Sequence, residues 1–230
     1  MKQRIEQLDW DNLSCQVNNT GYALAHGVLT DTECNVLTRS YDDNSLYRKT
    51  IVMERYRFGL GEYKYFNYPL PGTIEQLRQN VYRKLAPIAN NWMKALNIDK
   101  HFPATLEELL YECHKHNQLR PTPLILKYGK GGYNTLHQDL YGEVFFPMQM
   151  VLFLDDAYKG GEFVLIEQRP RAQSKAMVLK PGKGDMLIFT TNFRPVKGSK
   201  GYYKVNMKHG VSEVKSGNRH TLGIIFHDAA

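Results

Sequence analysis

Cysteine is scarce in this chain, and so are long apolar runs. Cys15, Cys34 and Cys113 are odd in number and lack any Cys-x-x-Cys spacing, which argues against a disulfide framework and against a thiolate metal site. No stretch approaches the ~18 apolar residues of a membrane span. The opening Met1-Lys2-Gln3-Arg4-Ile5-Glu6 is charged and has no apolar export core. A soluble protein of the reducing cytoplasm, without a membrane partner, is therefore expected. Internal repeats and low-complexity linkers are also missing. The 230 residues, 42% hydrophobic, are accordingly read as one domain, 1–230, with a helical and mixed part over 1–120 and a β core over 121–230. The oligomeric state has no signature in the sequence.

Three capping boxes, a Thr followed three residues later by Glu or Gln, predict helices beginning at Thr30, Thr73 and Thr105. The second is the longest. Its apolar face, Ile74, Leu77, Val81, Leu85, Ile88, Trp92 and Leu96, keeps steps of three and four, and Pro87 predicts a break or kink. From residue 123 the pattern changes to short β-prone runs at 123–128, 133–139, 146–154, 162–167, 176–180, 185–190, 204–214 and 219–227. Eight such runs, separated by Gly, Pro and Asp, suggest a jelly roll preceded by helices. The aromatic run from Glu54 to Tyr68 is read as an extra sheet edge, with a substrate-facing lid as the alternative.

Within the second β-run lies Leu136-His137-Gln138-Asp139, and His209 follows seventy positions later than Asp139 in Lys208-His209-Gly210. On a strand, residues i and i+2 share a face and lie ~7 Å apart, so His137 and Asp139 can reach one ion. Two imidazoles and one carboxylate form the set that holds non-haem Fe(II) and leaves positions open. Those positions suit the 1-carboxylate and 2-oxo oxygens of 2-oxoglutarate, and O2. Ten residues beyond His209 is Arg219, whose planar fork matches the distal carboxylate of that co-substrate. A tight turn at Ser216-Gly217-Asn218 predicts His209 and Arg219 on neighbouring strands of a hairpin. His-x-Asp alone is common in surface turns; the ordered set with His209 and Arg219 is what carries the reading.

Tyr128 and Thr221 are candidates to hydrogen-bond the co-substrate, with a satisfied core polar group as the plain alternative for each. His114 and His116 diverge on a helix and are read as solvated. His26, His101, His220 and His227 lack partners at ligand spacing, although the last two flank the proposed site. The net charge is +7, and between residues 181 and 219 eight basic residues face only Asp185 and Glu213. Arg194, Lys197, Lys200 and Tyr202 in this stretch are candidate substrate contacts, since cations interleaved with aromatics suit phosphates and bases. A solvated loop on a basic protein is the bland alternative.

Four blocks carry a family resemblance: Phe58-Gly-Leu-Gly-Glu-Tyr-Lys-Tyr-Phe66, Leu136-His-Gln-Asp-Leu-Tyr-Gly-Glu143, Gly160-Gly-Glu-Phe-Val-Leu-Ile-Glu-Gln-Arg-Pro-Arg171 and Lys208-His-Gly-Val-Ser212. They resemble a bacterial family of 2-oxoglutarate- and Fe(II)-dependent oxygenases, over residues ~20 to the end, related to the prolyl 4-hydroxylase-like and AlkB-like dioxygenases. The resemblance implies a double-stranded β-helix, Fe(II), 2-oxoglutarate and O2, and oxidative action on damaged, alkylated DNA. The chain departs from the AlkB-like dealkylases at Ile225, where those enzymes carry a second arginine. The Gly160-Gly161 turn looks more like the prolyl hydroxylase branch. Hydroxylation of a C–H bond, with dealkylation of DNA as its use, is the leading expectation. A protein or amino-acid hydroxylase, and a non-catalytic nucleic-acid-binding or iron-sensing module, are the alternatives.

Overall fold

The computed structural model describes residues 1–230. Five α-helices, α1 (Lys2–Glu6), α2 (Trp10–Thr20), α3 (Asp31–Ser40), α4 (Gly72–Ala95) and α5 (Leu106–Lys115), all precede the His-x-Asp motif. The early strands are β1 (Tyr22–Ala25), β2 (Tyr47–Val52), β3 (Gly59–Leu60) and β4 (Glu62–Phe66). The later ones are β5 (Leu124–Tyr128), β6 (Tyr133–His137), β7 (Met148–Phe153), β8 (Lys159–Gly160), β9 (Phe163–Gln168), β10 (Lys175–Leu179), β11 (Met186–Thr190), β12 (Phe193–Gly198), β13 (Gly201–Val211), β14 (Val214–Ser216) and β15 (Arg219–Ile225).

The capping boxes at Thr30 and Thr105 form as expected, each Thr side chain accepting from the backbone of the Glu three residues on. Thr73 does not cap α4. That helix starts one residue earlier, behind Pro71 at its N-cap, whose carbonyl accepts from the Ile74 and Glu75 N–H groups. Nor does Pro87 break it. The helix runs on through Ala95 because buried Leu85, Ile88, Ala89 and Trp92 keep one packed face on both sides of the proline. The sequence reading missed α1 and α2; Asp9 caps α2 by accepting from the Asn12 N–H.

Two antiparallel sheets face each other. One has the order β1-β11-β7-β15-β5-β4-β2 and the other β10-β9-β13-β6-β3, with β12 also paired to β13. The helices cover the outer face of the first sheet. Its central strands are therefore buried on both sides: Met150 and Leu152 of β7 and Ile188 of β11 pack toward the helices, while Val151, Phe153, Leu187 and Phe189 point into the space between the sheets. This is the period-2 alternation of a strand with both faces apolar. It explains why β7 and β11 read as unbroken hydrophobic runs.

Each of the eight anticipated β-runs contains a strand, and the jelly roll stands. Two details change. The segment 193–204, anticipated as a loop, is a hairpin: β12 pairs with β13 from Phe193↔Asn206 to Gly198↔Gly201. His209 and Arg219 are not on neighbouring strands. β13 belongs to one sheet and β15 to the other, because after Val211 the chain crosses between sheets and β14 pairs with β8 instead. The aromatic segment does extend a sheet, since its β4 pairs with β5 and with the edge strand β2, and its first part joins the other sheet, where β3 pairs with β6. No helix is long and apolar enough to cross a membrane.

Candidate metal centre and active site

The inward series of β13 runs Val205, Met207, His209 and Val211, all buried. One member of an apolar alternation has been replaced by an imidazole. On β15 the corresponding series is Arg219, Thr221, Gly223 and Ile225, which all line a cavity of about 220 Å³ between the sheets. His137 is the last residue of β6 and stands directly across from His209 in the β6–β13 ladder. Asp139 lies just beyond the strand end rather than on it, so the expected i, i+2 strand geometry is replaced by irregular chain, with the Asp139 side chain buried in the cavity wall. Gln138 anchors this segment, its side-chain amide donating to the carbonyls of Asn192 (2.9 Å) and Met207 (2.7 Å).

One nitrogen each of His137 and His209 and one carboxylate oxygen of Asp139 lie within 4.8 Å of one another. His137 Nε2 is 3.5 Å from Asp139 Oδ1, and His209 Nε2 is 3.2 Å from Oδ2. His137 Nδ1 donates to the Thr135 carbonyl at 2.8 Å, which leaves the Nε2 lone pair pointing at the shared centre. His209 is held instead by aromatic rings: Phe163 stacks on it at 5.8 Å and Phe189 meets it edge-on at 4.8 Å. Burial favours the neutral carboxyl of Asp139, but the imidazoles of His209 and His137 outweigh it and hold the group well below the usual range. Burial, reinforced by His137, lowers His209. This is an anionic oxygen between two nitrogen donors, and the set suits Fe(II).

Arg219 is 1% exposed, yet its Nε and Nη2 have no hydrogen-bond partner. Its guanidinium carbon lies 5.4 Å from the ring centres of Tyr128 and Phe153, and Nη1 has only the Thr221 hydroxyl, at 3.4 Å. A buried cation with unpaired donors is costly unless an anion completes it. The donors line the cavity that holds the triad, so the arrangement fits a dicarboxylate reaching from the metal centre to the guanidinium. Tyr128 lies directly across from Arg219 in the β5–β15 ladder and lines the same cavity, as does Thr221.

Sequence reasoning missed Tyr141, whose hydroxyl donates to Asp139 Oδ1 at 2.7 Å; its position two residues beyond Asp139 was the available signal. It also missed Gln149, a lone buried polar residue in β7 whose amide nitrogen is unpartnered. Both line the cavity, Gln149 directly across from Ile225 in the β7–β15 ladder and Tyr141 packed against the small cluster that includes Ile225. His227 is buried next to this wall, its ring 6.2 Å from that of Tyr141, and His220 bonds to Asp155 at 2.7 Å. His114 and His116 are exposed, as expected, and lie beside the Asp228 and Glu143 carboxylates respectively.

The candidate substrate residues on the basic stretch do not reach this cavity. Arg194 is buried and holds Glu167, with Nε to Oε2 at 3.0 Å. Lys197 and Tyr202 pair across the β12–β13 hairpin, and Lys200 is in its tip. From Gly201 to His209 β13 is one continuous strand, which at ~3.3 Å per residue puts the tip on the order of 27 Å from the metal centre. The hairpin carries these cations away from the opening, which is why proximity in sequence to His209 misled.

A family model described as "Oxygenase, catalysing oxidative methylation of damaged DNA" matches residues 61–229. The chain is 48% identical over 168 residues to an uncharacterized protein of Mycobacterium tuberculosis, a stretch covering 72% of each chain. Among solved structures it is similar to a prolyl hydroxylase from Trichoplax adhaerens in complex with a hypoxia inducible factor peptide fragment, with TM-score 0.61, 14% identity and coverage of 96% and 89% of the two chains. A Pseudomonas putida prolyl-4-hydroxylase aligns with TM-score 0.57 and 12% identity over 93% and 96%. A Burkholderia pseudomallei oxidoreductase of the 2OG-Fe(II) oxygenase family aligns with TM-score 0.55 and 15% identity over 97% and 94%. These likenesses agree with the jelly-roll fold described above. With the matched family spanning most of its length and an iron-type donor set beside a buried arginine, the chain belongs to this oxygenase family and is a 2-oxoglutarate- and Fe(II)-dependent oxidoreductase.

Proposed function

We propose that His137, Asp139 and His209 hold the iron, that Arg219 takes the distal carboxylate of 2-oxoglutarate, and that the primary substrate is an alkylated base in DNA. Arg219 carries the reading of the co-substrate site, because its two unpartnered buried guanidinium nitrogens face the same cavity as the triad. Tyr128 and Thr221 border the guanidinium and complete the polar end of that cavity. Bound iron with O2 and 2-oxoglutarate supplies oxidation of a C–H bond, the co-substrate leaving as succinate and CO2. On an N-methyl group the product is a hydroxymethyl group lost as formaldehyde, so such a site removes methyl groups. The chain's own part is to orient and to exclude water: Tyr141 fixes the Asp139 carboxylate, Thr135 fixes the His137 tautomer, and apolar Phe163, Phe189 and Val211 wall the centre.

The damaged-DNA description of the matched family supports the choice of nucleic acid, as does the charge of +7. A second reading, hydroxylation of a protein side chain, is favoured by Ile225, an apolar residue of the cavity wall where AlkB-like dealkylases have a second arginine. Succinate release should be compared across alkylated oligonucleotides and proline-containing peptides. We expect formaldehyde and succinate in equal amounts on a methylated oligonucleotide. Succinate above the uncoupled rate with peptides alone would replace this substrate assignment.

A further inference from the structure

The cavity opens where its lining residues are exposed, at Phe58 and Thr135. Directly outside stands Arg55-Tyr56-Arg57-Phe58, four consecutive exposed residues. Tyr56 is 50% and Phe58 44% exposed, and their rings stack nearly parallel, 5.5 Å apart with 20° between planes. Two large rings stacked on each other in solvent leave an outer face open to a further planar group. The backbone is committed to this display. Arg57 is in the left-handed region at φ 60, which costs a non-glycine residue of order 1 kcal/mol and turns the chain so that residues 56 and 58 stack side by side. The turn closes with Arg57 N–H to Glu54 O and Phe58 N–H to Met53 O, over a fully buried Met53.

Beside the rings two cations, Arg55 and Arg57, outnumber one carboxylate, Glu54, which accepts from the Gly61 N–H. Arginine ion pairs in this protein involve Arg4, Arg78, Arg169 and Arg194, so Arg55 and Arg57 keep free guanidinium groups. Exposed apolar side chains continue the surface along β3 and β6 through Leu60, Tyr133 and Leu136. The ridge is also tied to the metal centre: the Phe58 carbonyl accepts from Thr135 N–H at 2.8 Å and from its hydroxyl at 2.9 Å, and the Thr135 carbonyl accepts from His137 Nδ1.

We infer that the Arg55–Phe58 ridge is a stacking platform for an unpaired nucleic-acid strand, Tyr56 and Phe58 stacking a base next to the one that enters the cavity and Arg55 and Arg57 taking the flanking phosphates. Alternating cations and aromatic faces are the combination that binds single strands without reading sequence, and a base must leave the duplex to reach a buried centre. This inference rests on the nucleic-acid reading of the site. It moves substrate contact from the β12–β13 hairpin to the turn that precedes β3, where Phe58 lines the cavity.

The test is fluorescence anisotropy of the full-length protein with a labelled, unmodified single-stranded deoxyoligonucleotide and with its duplex. Wild type should prefer the single strand. Tyr56→Ala and Phe58→Ala should each weaken that binding about tenfold, Tyr56→Trp should restore it, and 2-oxoglutarate affinity should stay unchanged in both Tyr56 variants. Arg55→Gln combined with Arg57→Asn should reduce the slope of log affinity against log salt by about 1.4, at roughly 0.7 per phosphate contact. Strong single-strand binding that the alanine variants leave intact would overturn the platform while leaving the nucleic-acid substrate standing. No binding of either oligonucleotide by wild type would overturn both. Loss in these variants of turnover with a proline-containing peptide, with oligonucleotide binding intact, would assign the ridge to a protein partner instead.

Discussion

The two side chains with the most chemistry per atom are Arg219 and Asp139, and each depends on a neighbour. Arg219 has free donors at Nε and Nη2, the edge through which a guanidinium binds a carboxylate with two parallel bonds. Arg219→Lys keeps the charge and loses the fork. We expect 2-oxoglutarate affinity to fall about tenfold or more in isothermal titration while affinity for a divalent metal is unchanged. The Asp139 carboxylate is oriented by the Tyr141 hydroxyl at 2.7 Å. Removing such an outer partner typically lowers metal affinity about 10–100-fold, so Tyr141→Phe should weaken Co(II) binding, followed by its visible absorption, with the fold melting as before.

Among the elements, the metal centre depends on how closely β6 approaches β13. Gly210 follows His209, and a Cβ there would stand 2.7 Å from the Asn134 carbonyl and 3.2 Å from that of Thr135. Both are backbone atoms of β6 and cannot rotate aside. Gly210→Ala should therefore push the two strands apart and separate His209 from His137, lowering metal affinity about tenfold by titration; unchanged affinity would show that the ladder can absorb a methyl group. Helix α4 is locked to the end of β15 in a different way. Arg78, fully buried, donates to Asp228 at 2.8 Å, to the carbonyls of Ile225 and Phe226 and to the Tyr68 hydroxyl. Arg78→Ala would strand the buried Asp228 carboxylate and should cost about 3–5 kcal/mol, read from the urea midpoint.

For the whole molecule, stability should weaken in acid ahead of the carboxylate range. Burial first, and then the positive charge of Arg78, pushes His227 down to about 3 from an ordinary 6.5. Its Nδ1 accepts from the Phe146 N–H, so the folded protein holds the ring neutral. Between pH 6.5 and 3 the unfolded chain binds a proton there that the folded chain does not. Stability is thus complete above 6.5 and declines as pH falls through this window, at up to ~1.4 kcal/mol per pH unit. Glu167 is lowered, burial opposing but the bonds to Arg169 and Arg194 prevailing; its contribution is lost only below its ordinary 4.5. In urea titrations at pH 7.5 and 5.5, His227→Asn should show a smaller loss than wild type, and equal losses would exclude His227 as the source.

The residues proposed to hold the iron, the arginine proposed for the co-substrate, the jelly-roll strands and two of the three capped helices were legible in the sequence because each shows as a short pattern or a residue type. A capping box, a period-2 run and a His-x-Asp motif all act over a few residues, and the iron chemistry follows from residue type. What the sequence could not decide is which strands become neighbours. The crossing between sheets after Val211 places His209 and Arg219 on opposite sides of one cavity, and the hairpin from Phe193 to Asn206 carries the basic residues to a remote tip. Arg194 looked like an exposed cation until its inward position on β12 met Glu167 from β9. The aromatic run from Glu54 to Tyr68 was visible as sequence, but the stacking of Tyr56 on Phe58 and the contacts of Tyr141 and Gln149 with the cavity were not, since they arise from pairings such as β3 with β6. Local propensity sets the elements; long-range pairing, driven by burial of both faces of the central strands, decided which residues surround the centre and which point away.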